Sequence, residues 1–248
     1  MEEKLYNKQF GLVGKGIGYS FSKTYFQKKF IENKSFTNYN YKNFDIENIS
    51  EIEKIFEIKN LAGLNITIPY KEKVIPYLNE LTDTAQQIGA VNTVVFKNKK
   101  ALGDNTDIVG FENALKLFIG TSSKKALVLG SGGASKAVKF VLKKNKIDLI
   151  TVSRNPKKNE MNYDDINQKM INNYPLIINC TPLGTKPKIE EAPNIPYNYI
   201  GPENYLFDLI YNPIQTKFMR IGLEKGAKVC NGYHMLIQQA EASWKLWK

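Results

Sequence analysis

The chain has one histidine, His234, two cysteines, Cys180 and Cys230, and two arginines, Arg154 and Arg220. A single histidine excludes Cys/His metal clusters, so no metal is expected, and it excludes any Ser-His or Cys-His engine needing a second imidazole. The two cysteines match no metal or redox spacing, and a reducing, cytoplasmic setting is the simplest reading of them. No apolar run approaches 18 residues, so no membrane partner is expected; Met1 to Lys8 is too short and charged for a signal peptide. Internal repeats and low-complexity linkers are also missing. The arginine shortage bears directly on the charge. The chain carries 35 basic and 24 acidic residues, a net charge of +11, with a pI near 9.4. That balance invites a nucleic-acid reading. All but two of the cations are lysines, however, which are solvated point charges, whereas guanine edges and phosphates are gripped bidentately mainly by arginine. A solvated lysine-rich surface is expected, and no nucleic-acid partner.

What is present is enough for a sizeable core. At 248 residues, 42% hydrophobic and 12% aromatic, the chain suits one large or two modest domains at about 150 residues each. Short apolar runs alternate with helix-length amphipathic stretches, the pattern of an α/β protein. Strands are expected at Phe10 to Gly14, Ser35 to Tyr41 and Leu64 to Ile68, where Pro69 ends the run. Helices are expected at Ser22 to Ile31 and Ile49 to Ile58, and a hairpin at Thr93 to Gly103 with Lys97 to Lys100 as its turn. After a boundary near 104–120, the unbroken apolar run Ala126 to Leu129 leads into Gly130-Ser-Gly-Gly-Ala-Ser135 and a helix to about Lys144. Further strands are expected at Leu149 to Val152, Leu176 to Asn179 and Tyr205 to Asp208. A last helix is expected at Met235 to Trp247, packing back onto the first part.

A strand, then Gly130-x-Gly132-Gly133, then a helix brings backbone N–H groups and a helix N-terminus against a pyrophosphate. Ser135 replaces the third glycine of the usual fingerprint, so the run also fits an ordinary tight turn. An NAD-binding unit places an acid roughly 20 residues on, for the ribose 2′-hydroxyl. This chain has Ser153-Arg154-Asn155 there, with Lys158 beyond. An acid repels a 2′-phosphate, whereas arginine accepts it bidentately, which favours NADP. Ser20-x-Ser22 offers hydroxyls that can cap a helix or bind a carboxylate. Asn65-x-Thr67-x-Pro69-Tyr70-Lys71, Gly89-Ala-Val-Asn92-Thr93 and Gly103-Asp-Asn-Thr-Asp107 each fit a structural turn when taken singly.

Together, in order and spacing, these segments resemble the shikimate dehydrogenase family. So do Asn179-Cys-Thr-Pro-Leu-Gly184, Asp208-Leu-Ile-Tyr211-Asn-Pro and Gly232-x-x-Met235-Leu-x-x-x-Gln239-Ala, and the match covers nearly the whole chain. The resemblance implies an N-terminal α/β substrate domain, residues 1–105 with a C-terminal helix at about 232–248. It implies a Rossmann-type dinucleotide-binding domain over 106–231, with the active site in the cleft between the domains. It further implies Lys71 and Asp107 as the catalytic pair. Thr67, Asn92 and Gln239 are then partners for ring hydroxyls, and Ser20, Ser22 and Tyr211 carboxylate contacts. Gly130, Ser131, Gly132, Gly133, Ala134, Ser135, Ser153, Arg154, Asn155, Lys158 and Gly232 meet NADP. The implied reaction is reversible NADPH-dependent reduction of 3-dehydroshikimate to shikimate by a monomer or homodimer. A quinate or dual-substrate dehydrogenase and a non-catalytic NADP sensor are the alternatives. The chain departs from the family at Gly16, where a proline is usual nearby, at Tyr19, where histidine is frequent, and at Ile108, where glycine is frequent.

Overall fold

The computed structural model describes residues 6–18, 20–98, 100–120 and 125–248. The chain divides into two compact units, Met1–Thr106 with Ala240–Lys248, and Asp107–Gln239.

The first unit holds strands β1 (Lys8–Gly14), β2 (Tyr39–Asp45), β3 (Leu61–Ile66), β4 (Glu80–Leu81), β5 (Thr93–Lys97) and β6 (Lys100–Asp104). Helices α1 (Phe21–Glu32), α2 (Ile52–Phe56) and α3 (Asp83–Ile88) connect them. The strands form a mixed sheet in the order β2-β1-β3-β5-β6-β4. β1 is parallel to both neighbours, and β5 is antiparallel to β3 and β6. Helix α1 buries Ser22, Phe26 and Phe30, a four-residue spacing that keeps one face inward. That face meets an aromatic cluster. Phe26 stacks on Tyr41 with centroids 4.7 Å apart, and Phe10 meets Trp247 at 5.1 Å. Trp247 comes from the last helix, and its indole N–H donates to the Val94 carbonyl at 3.0 Å. Gly63 is required beneath it, because a Cβ there would collide with the indole ring.

Two first-unit expectations need correction. Ser35 to Tyr41 is not a strand: Lys34–Phe36 is a single 3-10 turn, with the Asn33 side chain accepting from the Ser35 N–H at 3.0 Å. The strand starts later, at Tyr39, and lies at the sheet edge, where its polar Lys42-Asn43 segment can face water. The helix expected over Ile49 to Ile58 shrinks to α2, behind a 3-10 turn capped by Asn48 and Glu51.

The second unit holds β7 (Lys125–Leu129), β8 (Asp148–Val152), β9 (Glu160–Met161), β10 (Leu176–Asn179), β11 (Tyr205–Asp208) and β12 (Lys228–Cys230). Helices α4 (Asp107–Ile119), α5 (Gly133–Lys144), α6 (Gln168–Asn173), α7 (Lys217–Glu224) and α8 (Tyr233–Trp247) complete the chain, with α8 running on into the first unit from Ala240. All its strand pairs are parallel, in the order β9-β8-β7-β10-β11-β12. Counted within the unit this is 3-2-1-4-5-6, the doubly wound dinucleotide-binding order. β7 and β10 are near-continuous apolar runs because a parallel sheet is covered on both faces. The order in which the strands are added changes direction between them, and ligands bind at such a switch point, beyond the carboxyl ends of the strands.

Candidate active site

Two loops flank that switch point. After β7, Gly130 has φ +103°, which favours glycine, and a Cβ there would press within 3.1–3.4 Å of Thr181 and Cys180 on the loop after β10. Gly132 caps α5 without a side-chain hydrogen bond, and a Cβ placed on it meets nothing within 4 Å. Packing therefore does not demand glycine at position 132; open space beside bare helix-terminal N–H groups does suit a phosphate. Ser135 is fully buried and turns inward, its Oγ donating to the Gly132 carbonyl at 2.7 Å, so it stiffens the loop. Ser131 Oγ lies 3.3 Å from Ser153 Oγ, which joins the glycine loop to the end of β8. Ser153 is buried, and Arg154, Asn155 and Lys158 follow it on the exposed rim. These residues fit a dinucleotide with a 2′-phosphate. Gly232 answers to packing: a Cβ there would collide with the Leu209 carbonyl.

The loop after β10 is braced from below. Asn179 Oδ1 accepts from the Thr181 N–H at 3.0 Å and hydroxyl at 2.7 Å, while its Nδ2 donates to Asp208 Oδ1 at 3.1 Å. Asp208 is fully buried, and also accepts from Thr216 Oγ1 at 2.6 Å and the Ile210 N–H at 3.0 Å. Burial pushes its carboxyl from 3.8 up to about 6, against the lowering effect of those hydrogen bonds. A raised folded-state value means that its favourable contribution is complete below about pH 4 and lost as pH rises through about 6. Asp208→Asn should therefore gain on the parent protein by about 2 kcal/mol between pH 4 and pH 7. Urea unfolding at the two pH values checks this, and a stability difference independent of pH would refute it.

Also in the second unit, Asp107 opens α4 and is 5% exposed, its carboxylate in the first helical turn where negative charge is favoured. One turn on, Gly110 lets α8 approach closely: a Cβ there would sit 2.5 Å from the Met235 carbonyl and 3.0 Å from Gln239 Cβ. Asp107 and the buried Gln239 thus lie on neighbouring helices, and Gln239 Nε2 donates to the Leu236 carbonyl at 3.0 Å. Tyr211 is half-buried just past β11.

The remaining candidates belong to the first unit. Ser20 is the N-cap of α1, its Oγ accepting from the Ser22 N–H at 3.2 Å. The cap reading of this serine is therefore realised. The loop before it is held in an unexpected way. Gly16 has φ +66°, which proline cannot adopt, and its N–H donates to Asp45 Oδ1 at 2.7 Å. Ile17 donates to Asp45 Oδ2 at 3.1 Å, Asn43 Nδ2 donates to the Ile17 carbonyl at 2.9 Å, and Lys15 pairs with Glu47 at 2.5 Å. Side chains at the end of β2, with Glu47 just beyond it, thus brace this loop. Tyr19 lies outside the described residues. Thr67 follows β3, half-buried, its N–H donating to the Val13 carbonyl at 2.9 Å. Lys71 is half-buried, and its carbonyl accepts from the Val91 N–H at 2.7 Å, tying the lysine turn to the Asn92 segment.

Asn92 is 3% exposed, with Oδ1 accepting from the Thr106 N–H at 2.7 Å and from the Thr93 and Thr106 hydroxyls, both at 3.1 Å. Of the residues that join this buried cluster, Asn65, Thr93 and Thr106 stand in the sequence motifs with no role of their own, and Tyr41 and Ser243 are not singled out by the sequence. Asn65 inside the apolar run Leu64-Asn-Ile66 was a usable signal, since a buried amide needs partners. Ser243 carried none. Among the described residues, no group of three or more His, Cys, Asp or Glu could hold a metal ion, and no helix is long and apolar enough to cross a membrane.

Residues 12–94 match the family model described as the shikimate dehydrogenase substrate binding domain. A shikimate dehydrogenase (NADP(+)) of Methanococcus maripaludis is 38% identical over 97% of this chain and 91% of its own. The crystal structure of shikimate dehydrogenase from Aquifex aeolicus is similar at 34% identity and a TM-score of 0.87, covering 100% of this chain and 94% of that one. The Thermus thermophilus shikimate 5-dehydrogenase, in complex with NADP(H) and shikimate, is 28% identical with a TM-score of 0.83 over 97% of this chain and 93% of its own.

Proposed function

Since this chain belongs to the shikimate dehydrogenase family, we propose that it catalyses the reversible NADPH-dependent reduction of 3-dehydroshikimate to shikimate, a step towards chorismate and the aromatic amino acids. The observation that carries the reading is the near full-length likeness to a shikimate dehydrogenase (NADP(+)). The open Gly132 cradle at the switch point, with Arg154 on the rim beyond β8, supports it independently. When bound, NADPH supplies the hydride.

The chain's own residues do the rest. Hydride addition to a ketone develops alkoxide charge, so a proton donor must lie within about 3 Å of that oxygen. Lys71 and Asp107 are the acid–base pair for that proton. Asn92, Thr67 and Gln239 meet ring hydroxyls, while Ser20, Ser22 and Tyr211 meet the carboxylate. A capping serine can still do so, because its hydroxyl hydrogen remains a donor while its oxygen accepts from the helix. Gly130 to Ala134 line the dinucleotide, with the buried Ser135 and Gly232 shaping the loops beneath it, and Ser153, Arg154, Asn155 and Lys158 receive its 2′-phosphate. The first unit is then the substrate domain and the second the NADP domain. The enzyme works in the cytoplasm, as a monomer or homodimer, with its two cysteines as free thiols.

The test is to supply purified protein with shikimate and NADP and follow NADPH formation. Turnover that requires both supports the reading. No NADPH from the folded protein sinks it.

A further inference from the structure

Thr93 is fully buried at the start of β5, and its hydroxyl is the hub of the cluster around Asn92. Thr93 Oγ1 lies 2.7 Å from Ser243 Oγ, 3.0 Å from Thr106 Oγ1 and 3.1 Å from Asn92 Oδ1. Ser243 Oγ is also 3.0 Å from Thr106 Oγ1, and it accepts from Asn65 Nδ2 at 3.0 Å. Asn65 Oδ1 in turn accepts from the Tyr41 hydroxyl at 2.8 Å.

The direction of donation follows from the chemistry of the groups. Thr93 and Thr106 both turn their hydroxyl hydrogens to the Asn92 carbonyl, so each meets Ser243 with its accepting oxygen, and the single Ser243 hydrogen can serve at most one of them. A carboxamide has one accepting and one donating end. With three donors converging on Oδ1, one of them the fixed Thr106 N–H, the carbonyl end faces the cluster and the amino end faces the opposite way.

We propose that Thr93, supported by Ser243 from the C-terminal helix, is a positioning residue that locks the Asn92 carboxamide in one orientation, so that the ligand atom it meets must be an acceptor. This deepens the assignment of Asn92 to a ring hydroxyl and rests on it. Thr93 acts through Asn92. A methyl in place of its hydroxyl would face Asn92 Oδ1, Thr106 Oγ1 and Ser243 Oγ together, and none of these can bond to it.

Thr93→Val keeps the shape and removes only the hydroxyl function, while Thr93→Ser keeps the hydroxyl. Thr93→Val should raise KM for shikimate about ten-fold, with kcat within about two-fold and KM for NADP unchanged, the signature of lost uniform binding. Thr93→Ser should return KM to within about two-fold of the parent value. The side-chain amide signal of Asn92 in nitrogen-15 NMR should shift in Thr93→Val and stay in Thr93→Ser. That signal reads the positioning without turnover, so a parent protein inert towards shikimate removes the activity assignment alone. An unchanged KM and an unmoved amide signal in folded Thr93→Val overturn the proposal, as does equal impairment in Thr93→Ser. If Thr93→Val does not fold, Ser243→Ala takes its place: a rise of about five-fold in the same KM supports the lock, and an unchanged KM overturns it.

Discussion

Lys71→Ala is expected to lower kcat by about 10²–10⁴-fold while KM for shikimate changes little. That range is the ordinary worth of a positioned acid or base, which acts on the transition state more than on the bound substrate. The lysine turn is fixed through its backbone: the Lys71 carbonyl holds the Val91 N–H, and Tyr70 is buried beside it with its hydroxyl on the Ile46 carbonyl at 2.8 Å. Truncation at Cγ and beyond leaves both bonds in place, so circular dichroism and melting temperature should match the parent. Asp107→Asn should fall into the same range. If the proposed pair moves one proton, Lys71→Ala/Asp107→Asn should be little worse than the poorer single variant. Steady-state kinetics on the four proteins checks this, and undiminished turnover in Lys71→Ala would remove the lysine from the chemistry.

Arg154→Ala is expected to raise KM for NADP about 10- to 100-fold and leave KM for NAD within about two-fold. A charge-assisted pair between guanidinium and phosphate contributes about 1.5–3 kcal/mol, and each 1.4 kcal/mol is a decade of affinity. The side chain is exposed, so its removal opens no cavity and stability should be unchanged. Lysine at this position should recover part of the loss, since it returns the charge but not the two-pronged grip. Kinetics with both cofactors reads the effect. Equal losses with NADP and NAD would mean that Arg154 shapes the loop rather than meeting the 2′-phosphate.

The second unit was the more legible half. Leu176–Asn179 and Tyr205–Asp208 stand where the sequence puts them, and β7, the glycine loop and α5 follow within a residue. Buried parallel strands are short unbroken apolar runs, so their ends coincide with the end of the apolar stretch. Strand β2 is an edge strand of mixed composition, set by pairing Lys8 to Gly14 against Tyr39 to Asp45, and local pattern does not encode that register. Helix α4 occupies a stretch that reads from the sequence only as a boundary, since Asp107 and Gly110 interrupt its pattern, and Gly110 is there for close approach.

The site divides in the same way. Gly132, Ser22 and Asn92 are visible through their motifs, which are local. The support around them is not. Thr93 and Ser243 are 150 residues apart in sequence and 2.7 Å apart in space, so their bond exists only once α8 has docked. Asp45 and Asn43 brace the serine loop from a neighbouring strand and carry no motif of their own. Residues proposed to touch a ligand are legible from local chemistry, whereas those that brace them are products of the fold.

The measurement that bears most directly on the account is kcat/KM for shikimate and quinate, each with NADP and with NAD. Quinate carries an extra ring hydroxyl beside the carboxylate, and such a group discriminates by about 1–3 kcal/mol. Shikimate with NADP should stand highest, about ten-fold or more above each of the other three combinations. A maximum for quinate with NAD would contradict the account.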